Sequence, residues 1–385
     1  MRVERISVAA YRVPVARPVA TSFGVMRDRP AVFVRLEGAD GAFGWGEIFA
    51  NWPAAGAEHR VRLLAFDIAP LVLGVEMEGP GDLWAQLDRA VAVRAIQCGE
   101  PGPFAHVLAG LDTAMHDMAA RARGVPLAEA LAPGAPGDVA VYASGIEVGR
   151  GVEAIPAARA TGIAAFKLKI GFDAARDLAA LRAAAATLGP GERLFVDANQ
   201  AWGLDAALAF VEAARDLPLG WLEEPIRVDA PAADWARLAG AGGPPLAGGE
   251  NIAGAGAFAA AIAAGHLGVL QPDVAKWGGV SGCLAVARQA LAAGRRFCPH
   301  FLGGGIGLLA SGHLLAAAGG DGLLELDANA NPLRDAFVGD GALAGGRLHL
   351  GAAPGLGIET LPDAIAPYRT LALDIDGEGR ICDRA

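Results

Sequence analysis

An α/β chain, in which a (β/α)8 barrel follows a smaller α+β cap, is the fold the sequence predicts, and three observations predict it. From Val139 onward, apolar runs of about six residues alternate with Ala-rich helical stretches, the pattern of parallel strands returned by crossover helices. Eight such runs occur, enough to close a barrel when every crossover is right-handed. Several of the runs stop abruptly on a charged side chain. A buried strand ends on Asp or Glu where that end faces water, a cation or a substrate.

Residues 1–132 follow a different pattern, and are expected to form the cap. Ile6 to Pro14, Ala31 to Leu36 and Ala42 to Glu47 read as strands, the last two joined by a turn at Gly38-Ala-Asp-Gly41. Ala105 to Arg123 carries apolar residues at helical spacing until Gly124 and Pro126 stop it. Ala132-Pro-Gly-Ala-Pro-Gly137 makes a boundary, and residues 133–327 then form the barrel. Its strands are expected at Val139–Gly145, Ala164–Ile170, Leu194–Asn199, Trp221–Pro225, Pro245–Glu250, Leu267–Asp273, Arg296–His300 and Leu323–Asp327. Residues 328–385, with short strands near Arg347–Leu350 and a turn at Pro354-Gly-Leu-Gly-Ile358, are expected to return to the cap and complete it.

Composition narrows the function. Charged residues are 19% and apolar residues 53%, which excludes a disordered chain. A net charge of −10 argues against nucleic acid or an anionic membrane as partner. Cys98, Cys283, Cys298 and Cys382 are scattered without metal-ligand spacing, and the N-terminus lacks the apolar core of a signal peptide, so a reducing cytoplasm is expected. The uncharged stretch Phe297 to Gly320 is interrupted by Pro299, two histidines and Gly303-Gly304-Gly305. Its helical remainder, about Ile306 to Ala318, is too short for a bilayer core of ~30 Å and reads as a buried helix.

The strand ends carry the chemistry. Lys167 and Lys169 share one face of the second barrel strand by the two-residue period, and that face points into the barrel. Mutual repulsion is expected to lower both pKa values and make a neutral amine base available. The next three strands deliver Asp197, Glu223 and Glu250, hard oxygen ligands suited to Mg²⁺. The sixth ends at Asp273 with Lys276 following, the seventh at His300, and the eighth carries Glu325. Lys169 and His300, across the mouth from each other, are placed to address one substrate carbon from two faces, with Asp273 orienting His300.

In these motifs the chain resembles the enolase superfamily, and within it the mandelate racemase type of the mandelate racemase and muconate lactonizing enzyme family. They are Lys167-Leu-Lys169, Val196-Asp-Ala-Asn-Gln200, Glu223-Glu-Pro225, Gly249-Glu-Asn251, Gln271-Pro-Asp273 with Lys276 and Gly278-Gly279, Pro299-His300-Phe301 and Leu324-Glu325. The resemblance implies a TIM-type barrel, Mg²⁺ held by Asp197, Glu223 and Glu250, and a small carboxylate substrate bound with help from Lys167. It also implies a homo-oligomer. The common step is removal of the proton α to that carboxylate, with Lys169 and His300 as the acid/base pair and Glu325 adding electrostatic stabilisation. Lys276 stays ambiguous, because muconate-lactonizing relatives use a strand-six lysine for acid/base chemistry.

Two outcomes stay open. Elimination of a β-hydroxyl would make the protein an acid-sugar dehydratase, the commoner activity among relatives with this arrangement; return of the proton to the opposite face would make it a racemase or epimerase. Specificity is expected from the cap, where Thr21, Ser22, Arg27, Asn51 and Trp52, together with Asn199 on the barrel, are candidate substrate contacts. A barrel that only binds an acid would have lost a ligand or a base, and none is lost here. His313 lies in an apolar helix and reads as structural.

Overall fold

In the computed structural model, which describes residues 1–339 and 341–383 with backbone alone at 16, 17 and 20, the cap opens with a long hairpin. Its strands are β1 (Arg5–Thr21) and β2 (Gly24–Glu37), and β3 (Phe43–Ile48) pairs antiparallel to β2. The hairpin runs further than the sequence predicts. Pairing is interrupted between Pro14 and Val19 and then resumes through Thr21↔Gly24. Proline cannot donate to a ladder, so Pro14 and Pro18 produce an irregularity where the sequence suggested an end.

Helices α1 (Gly56–Leu63), α2 (Pro80–Gln97) and α3 (Pro101–Ala122) follow. Val107, Leu111, Ala114 and Met115 of α3 share a buried core with Val32, Val34 and Leu36 of β2. The helix lies very close to β3. A β-carbon at Gly44 or Gly46 would come within 2.1 or 2.0 Å of an α3 carbonyl, so only glycine fits there.

After α4 (Leu127–Leu131), strands and helices alternate. The order is β4 (Asp138–Glu147), α5 (Gly151–Arg159), β5 (Ala165–Lys169), α6 (Ala174–Ala185), β6 (Arg193–Asp197), α7 (Leu204–Ala213), β7 (Leu219–Glu223) and α8 (Ala232–Ala239). Next come β8 (Leu246–Gly248), α9 (Ala255–Ala264), β9 (Leu267–Leu270), α10 (Gly279–Ala292), β10 (Arg296–Phe297), α11 (Gly305–Ala318) and β11 (Leu324–Asp327). Strands β4 to β10 pair in parallel in chain order, and β11 pairs in parallel with β4.

Among the described residues, no ladder joins β10 to β11. β10 is two residues long and runs into Pro299, which has no N–H to give. The seam is held by Leu323 N–H donating to Cys298 Sγ at 3.4 Å and Phe301 N–H donating to Glu325 Oε2 at 3.1 Å. Inside the barrel, Phe195 and Trp221 stack at 3.5 Å with Tyr142 edge-on to both, forming an apolar floor. α11 is the buried helix the sequence suggests. Among the described residues, no helix is long and apolar enough to cross a membrane.

The chain beyond β11 divides. After α12 (Pro332–Asp335), β12 (Leu343–Ala344) and β13 (Arg347–His349) extend the barrel sheet, β13 pairing antiparallel with the start of β4. The chain beyond them rejoins the cap: the Pro354–Ile358 turn docks on α3, where Leu356 N–H donates to Asp117 Oδ1 at 2.6 Å, and β14 (Arg369–Asp376) lies beside β1 with β15 (Ile381–Asp383) at the edge. The expected return of the whole tail to the cap is corrected in this respect. The Arg347 strand continues the open edge of β4 below β11, where the two ladders share one strand edge.

Buried polar groups dock the cap on the barrel. Glu47 of β3 accepts N–H bonds from Gly304 at 2.5 Å and Gly307 at 2.8 Å, at the start of α11. Arg29 of β2 pairs with Asp327 at the end of β11, both buried. Asp112 of α3 accepts from Ser281 N–H at 2.9 Å and Ser281 Oγ–H at 2.6 Å, at the start of α10.

Burial pushes the Asp112 carboxyl up to about 7 despite the bonds from Ser281. Its neighbour His116, driven down to about 4 by burial, stays neutral over the same range. A carboxyl raised on folding contributes stability that is full below its unfolded pKa near 4 and is lost as pH rises through about 7. Asp112→Asn removes that dependence. Its melting temperature should therefore climb relative to wild type between about pH 5 and pH 8; a constant offset across that range would show that Asp112 does not titrate there.

Candidate active site

The parallel register sets the order of groups around the mouth. Lys169 pairs with Asp197 across β5 and β6, and Asp197 with Glu223 across β6 and β7. Glu250 follows β8 by two residues. It is preceded by Gly249, whose φ of +150° and whose β-carbon position 2.6 Å from Gln271 backbone admit only glycine. Asp273 and His300 lie past the ends of β9 and β10, and Glu325 is on β11.

Each carboxylate proposed as a metal ligand is engaged by an ammonium group. Lys169 Nζ donates to Asp197 Oδ2 at 2.5 Å. Lys167 Nζ bridges Glu223 Oε1 and Glu325 Oε1, both at 2.7 Å, and Lys276 Nζ donates to Glu250 Oε2 at 2.9 Å. Around them, Trp221 Nε1 and Gln271 Nε2 donate to Glu223 Oε2, and Ser144 Oγ to Glu325 Oε1. Asn199, with a left-handed φ of +44°, turns both its N–H and its Nδ2 onto Asp197.

His300 Nδ1 lies 2.7 Å from Asp273 Oδ2, while Nε2 lies 3.5 Å from Glu250 and 3.7 Å from Glu325. Burial alone would lower His300, but Glu250, Glu325 and Asp273 together raise it to about 9.

The lysines correct an expectation. Their repulsion was to lower both pKa values, yet both move up, Lys167 well above its ordinary value. Burial favours the neutral amines, and the carboxylates pressed against them outweigh both burial and the lysine–lysine repulsion.

Among the described residues, no three His, Cys, Asp or Glu side chains converge into a ready-made metal cage, because lysines stand between the carboxylates. The donor set nevertheless fits a divalent cation. Asp197, Glu223, Glu224, Glu250, Asp273 and Glu325 make six buried or nearly buried carboxylates against Lys167, Lys169, Lys276 and His300, a deficit of two positive charges. That deficit is felt locally. Burial pushes Glu223 up to about 7 even with Lys167 beside it, and burial with the charges of Glu250 and Asp197 pushes Glu224 up to about 8. Glu250 Oε1 has no hydrogen-bond partner among the described residues. Hard carboxylate oxygens short of positive charge suit Mg²⁺.

The candidate substrate contacts divide. Ser22 Oγ donates to Asn199 O at 2.7 Å, which ties the hairpin tip to the end of β6. Thr21 only closes its own turn onto Gly24 O, and Arg27 is exposed on β2. Asn51 donates to Leu302 O at 2.9 Å, and Trp52 meets the exposed Phe23 edge-on at 5.8 Å. Asn199 is buried behind Asp197, placed to orient a ligand. Sequence reasoning passed over Glu224, Asn251, Gln271 and Ser144. The first three sit inside quoted motifs beside a recognised carboxylate; Ser144 carries no signal. His313 accepts Ala128 N–H from inside α11, a structural contact.

The Asp273 contact generates a test. In metal-free protein, Asp273→Asn should move the His300 titration, followed by imidazole NMR resonances, down by about 1–2 units. An unmoved titration would mean that Asp273 orients His300 without charging it.

Comparisons with known proteins agree with this fold. Residues 5–132 match the family model of the mandelate racemase / muconate lactonizing enzyme N-terminal domain, and residues 151–364 match the enolase C-terminal domain-like model. The chain is 29% identical over 360 residues to the D-galactarolactone cycloisomerase of Agrobacterium fabrum, covering 89% of this chain and 92% of that protein. It superposes with a TM-score of 0.88 and 48% identity on a mandelate racemase/muconate lactonizing enzyme from Bordetella bronchiseptica, covering 94% and 99% of the two chains. It also superposes, at 0.84 and 26% identity over 97% and 94%, on the L-talarate/galactarate dehydratase of Salmonella typhimurium liganded with Mg and L-lyxarohydroxamate. With both family models matched along the chain and the barrel mouth so furnished, the protein belongs to the mandelate racemase and muconate lactonizing enzyme family of the enolase superfamily.

Proposed function

We propose that the enzyme removes the proton α to the carboxylate of an acid sugar and expels the β-hydroxyl as water, giving a 2-keto acid. The observation that carries this reading is the pairing of His300 with Asp273. Nδ1 is held by Asp273 at 2.7 Å, which leaves Nε2 directed into the mouth to carry a proton and give it up as an acid. Relatives named for galactarolactone and for talarate and galactarate support the substrate class.

Lys169, across the mouth on β5, takes the α-proton and leaves the substrate as an enediolate, whose electron pair then forms the Cα–Cβ double bond as the β C–O bond breaks. His300 gives its Nε2 proton to the departing hydroxyl, and the resulting enol tautomerises to the keto acid. Lys167, pinned between Glu223 and Glu325, keeps a fixed positive charge beside the substrate carboxylate. Held by Asp197, Glu223 and Glu250, Mg²⁺ would supply further positive charge as the α-proton leaves and would take up the Asp197 charge that now keeps Lys169 protonated. On a substrate without a β leaving group, the same opposed pair returns the proton to the other face, which is racemisation.

The test is incubation with Mg²⁺ in D₂O against aldonic and aldaric acids, following α-proton exchange and keto-acid formation by NMR. His300→Asn should lose keto acid by about 10²–10⁴-fold while α-exchange persists, and Lys169→Ala should lose both. Removing the metal with EDTA should abolish exchange in the wild type. Inversion without keto acid would replace dehydration with the racemase activity.

A further inference from the structure

Lys276 lies beside Glu250, and two of its three ammonium hydrogens are committed to fixed acceptors there. An ammonium carries three N–H groups. One is directed to Glu250 Oε2 at 2.9 Å, one to Asn251 Oδ1 at 2.8 Å, and the charge sits over the Phe49 ring, 4.9 Å from its centroid. That arrangement suits a residue that holds Glu250 in place.

The contacts continue on the far side of Asn251. Its Nδ2 donates to both oxygens of Glu224, at 2.9 and 3.0 Å. The amide faces this way because the Lys276 ammonium requires an acceptor, which leaves Nδ2 to donate to Glu224. Glu224 is itself fixed. It is 3% exposed with a left-handed φ of +39°, its N–H donates to Ala247 O, and its own carbonyl accepts from Gln200 N–H. The result is a continuous line from a rigid backbone position through Glu224, Asn251 and Lys276 to a single oxygen of Glu250, and the other oxygen, Oε1, has no hydrogen-bond partner among the described residues. Neutralising Glu250 would need only Lys276. An amide inserted between that lysine and a second carboxylate fixes direction as well.

We propose that Glu224, Asn251 and Lys276 form a positioning bracket that locks the Glu250 carboxylate through Oε2 and presents Oε1 to the divalent cation. This rests on the metal site proposed above. Lys276 is thereby a positioning residue rather than an acid/base catalyst, and Glu224 and Asn251 gain a role that the reaction does not otherwise give them.

The test is direct binding of Mn²⁺ to the metal-free full chain, read as the loss of the free Mn²⁺ signal in electron paramagnetic resonance. Circular dichroism melting of each variant accompanies it. Asn251→Ala and Lys276→Met should each weaken Mn²⁺ binding by about 10- to 100-fold, in the range usual for partners of metal ligands, while the variants still melt cooperatively from a folded state. The double variant should be no weaker than Lys276→Met alone, because both act through one line of contacts. Glu224→Gln, which keeps one acceptor for the amide, should bind at an intermediate level, and it carries the test should Asn251→Ala fail to fold. Wild-type binding of Mn²⁺ with undiminished affinity in the folded variants would overturn the bracket and leave the metal site standing. Failure of the wild type to bind Mn²⁺ would overturn the metal site and the bracket together.

Discussion

Everything at the mouth of the barrel follows from placing more negative than positive charge in a space that excludes water. A carboxylate taken out of water is costly unless paired, and removing one partner of a buried pair costs about 3–5 kcal/mol. The chain meets that cost by register. Parallel pairing puts Lys169, Asp197 and Glu223 side by side, and the inward period of β5 drops Lys167 between Glu223 and Glu325. The apolar floor of Tyr142, Phe195 and Trp221 closes the space beneath, so these charges answer to one another more strongly than to solvent.

The cap depends on the same economy of buried polar groups. Glu47 reaches across to the first turn of α11, Arg29 to the end of β11, and Asp112 to the first turn of α10. Two of these are carboxylates at helix N-termini, where free N–H groups and the helix dipole both favour an acceptor. α11 begins just after the loop that carries His300, so the cap's grip on that helix also sets the wall of the site.

Much of this is legible in the sequence because strand ends are where pattern and chemistry conflict. An apolar run that ends on Asp197 or Glu223 violates the rule for a buried strand, and the violation marks the site. The hairpin was harder to read, since Pro14 and Pro18 look like an end and are only an interruption. The lysines were misread for a related reason. Period places Lys167 and Lys169 on one face, but their protonation is decided by carboxylates from β6, β7 and β11, which no local pattern reveals. Asn251 and Gln271 were invisible as partners because their roles depend on which oxygen of a neighbour is already taken.

The seam between β10 and β11 has a consequence for the spacing of the site. Along β4 to β10, neighbouring groups are spaced by backbone ladders, and moving one means slipping a whole strand. His300 and Glu325 face each other across the one junction where side chains do the stitching, and Glu325 is itself a stitch through Phe301 N–H. Their separation is therefore set by the side chains of Cys298 and Glu325 rather than by a backbone ladder, and through Lys167 it is felt at Glu223 as well. At this gap a change in one side chain reaches the spacing of the acid/base groups without slipping a strand.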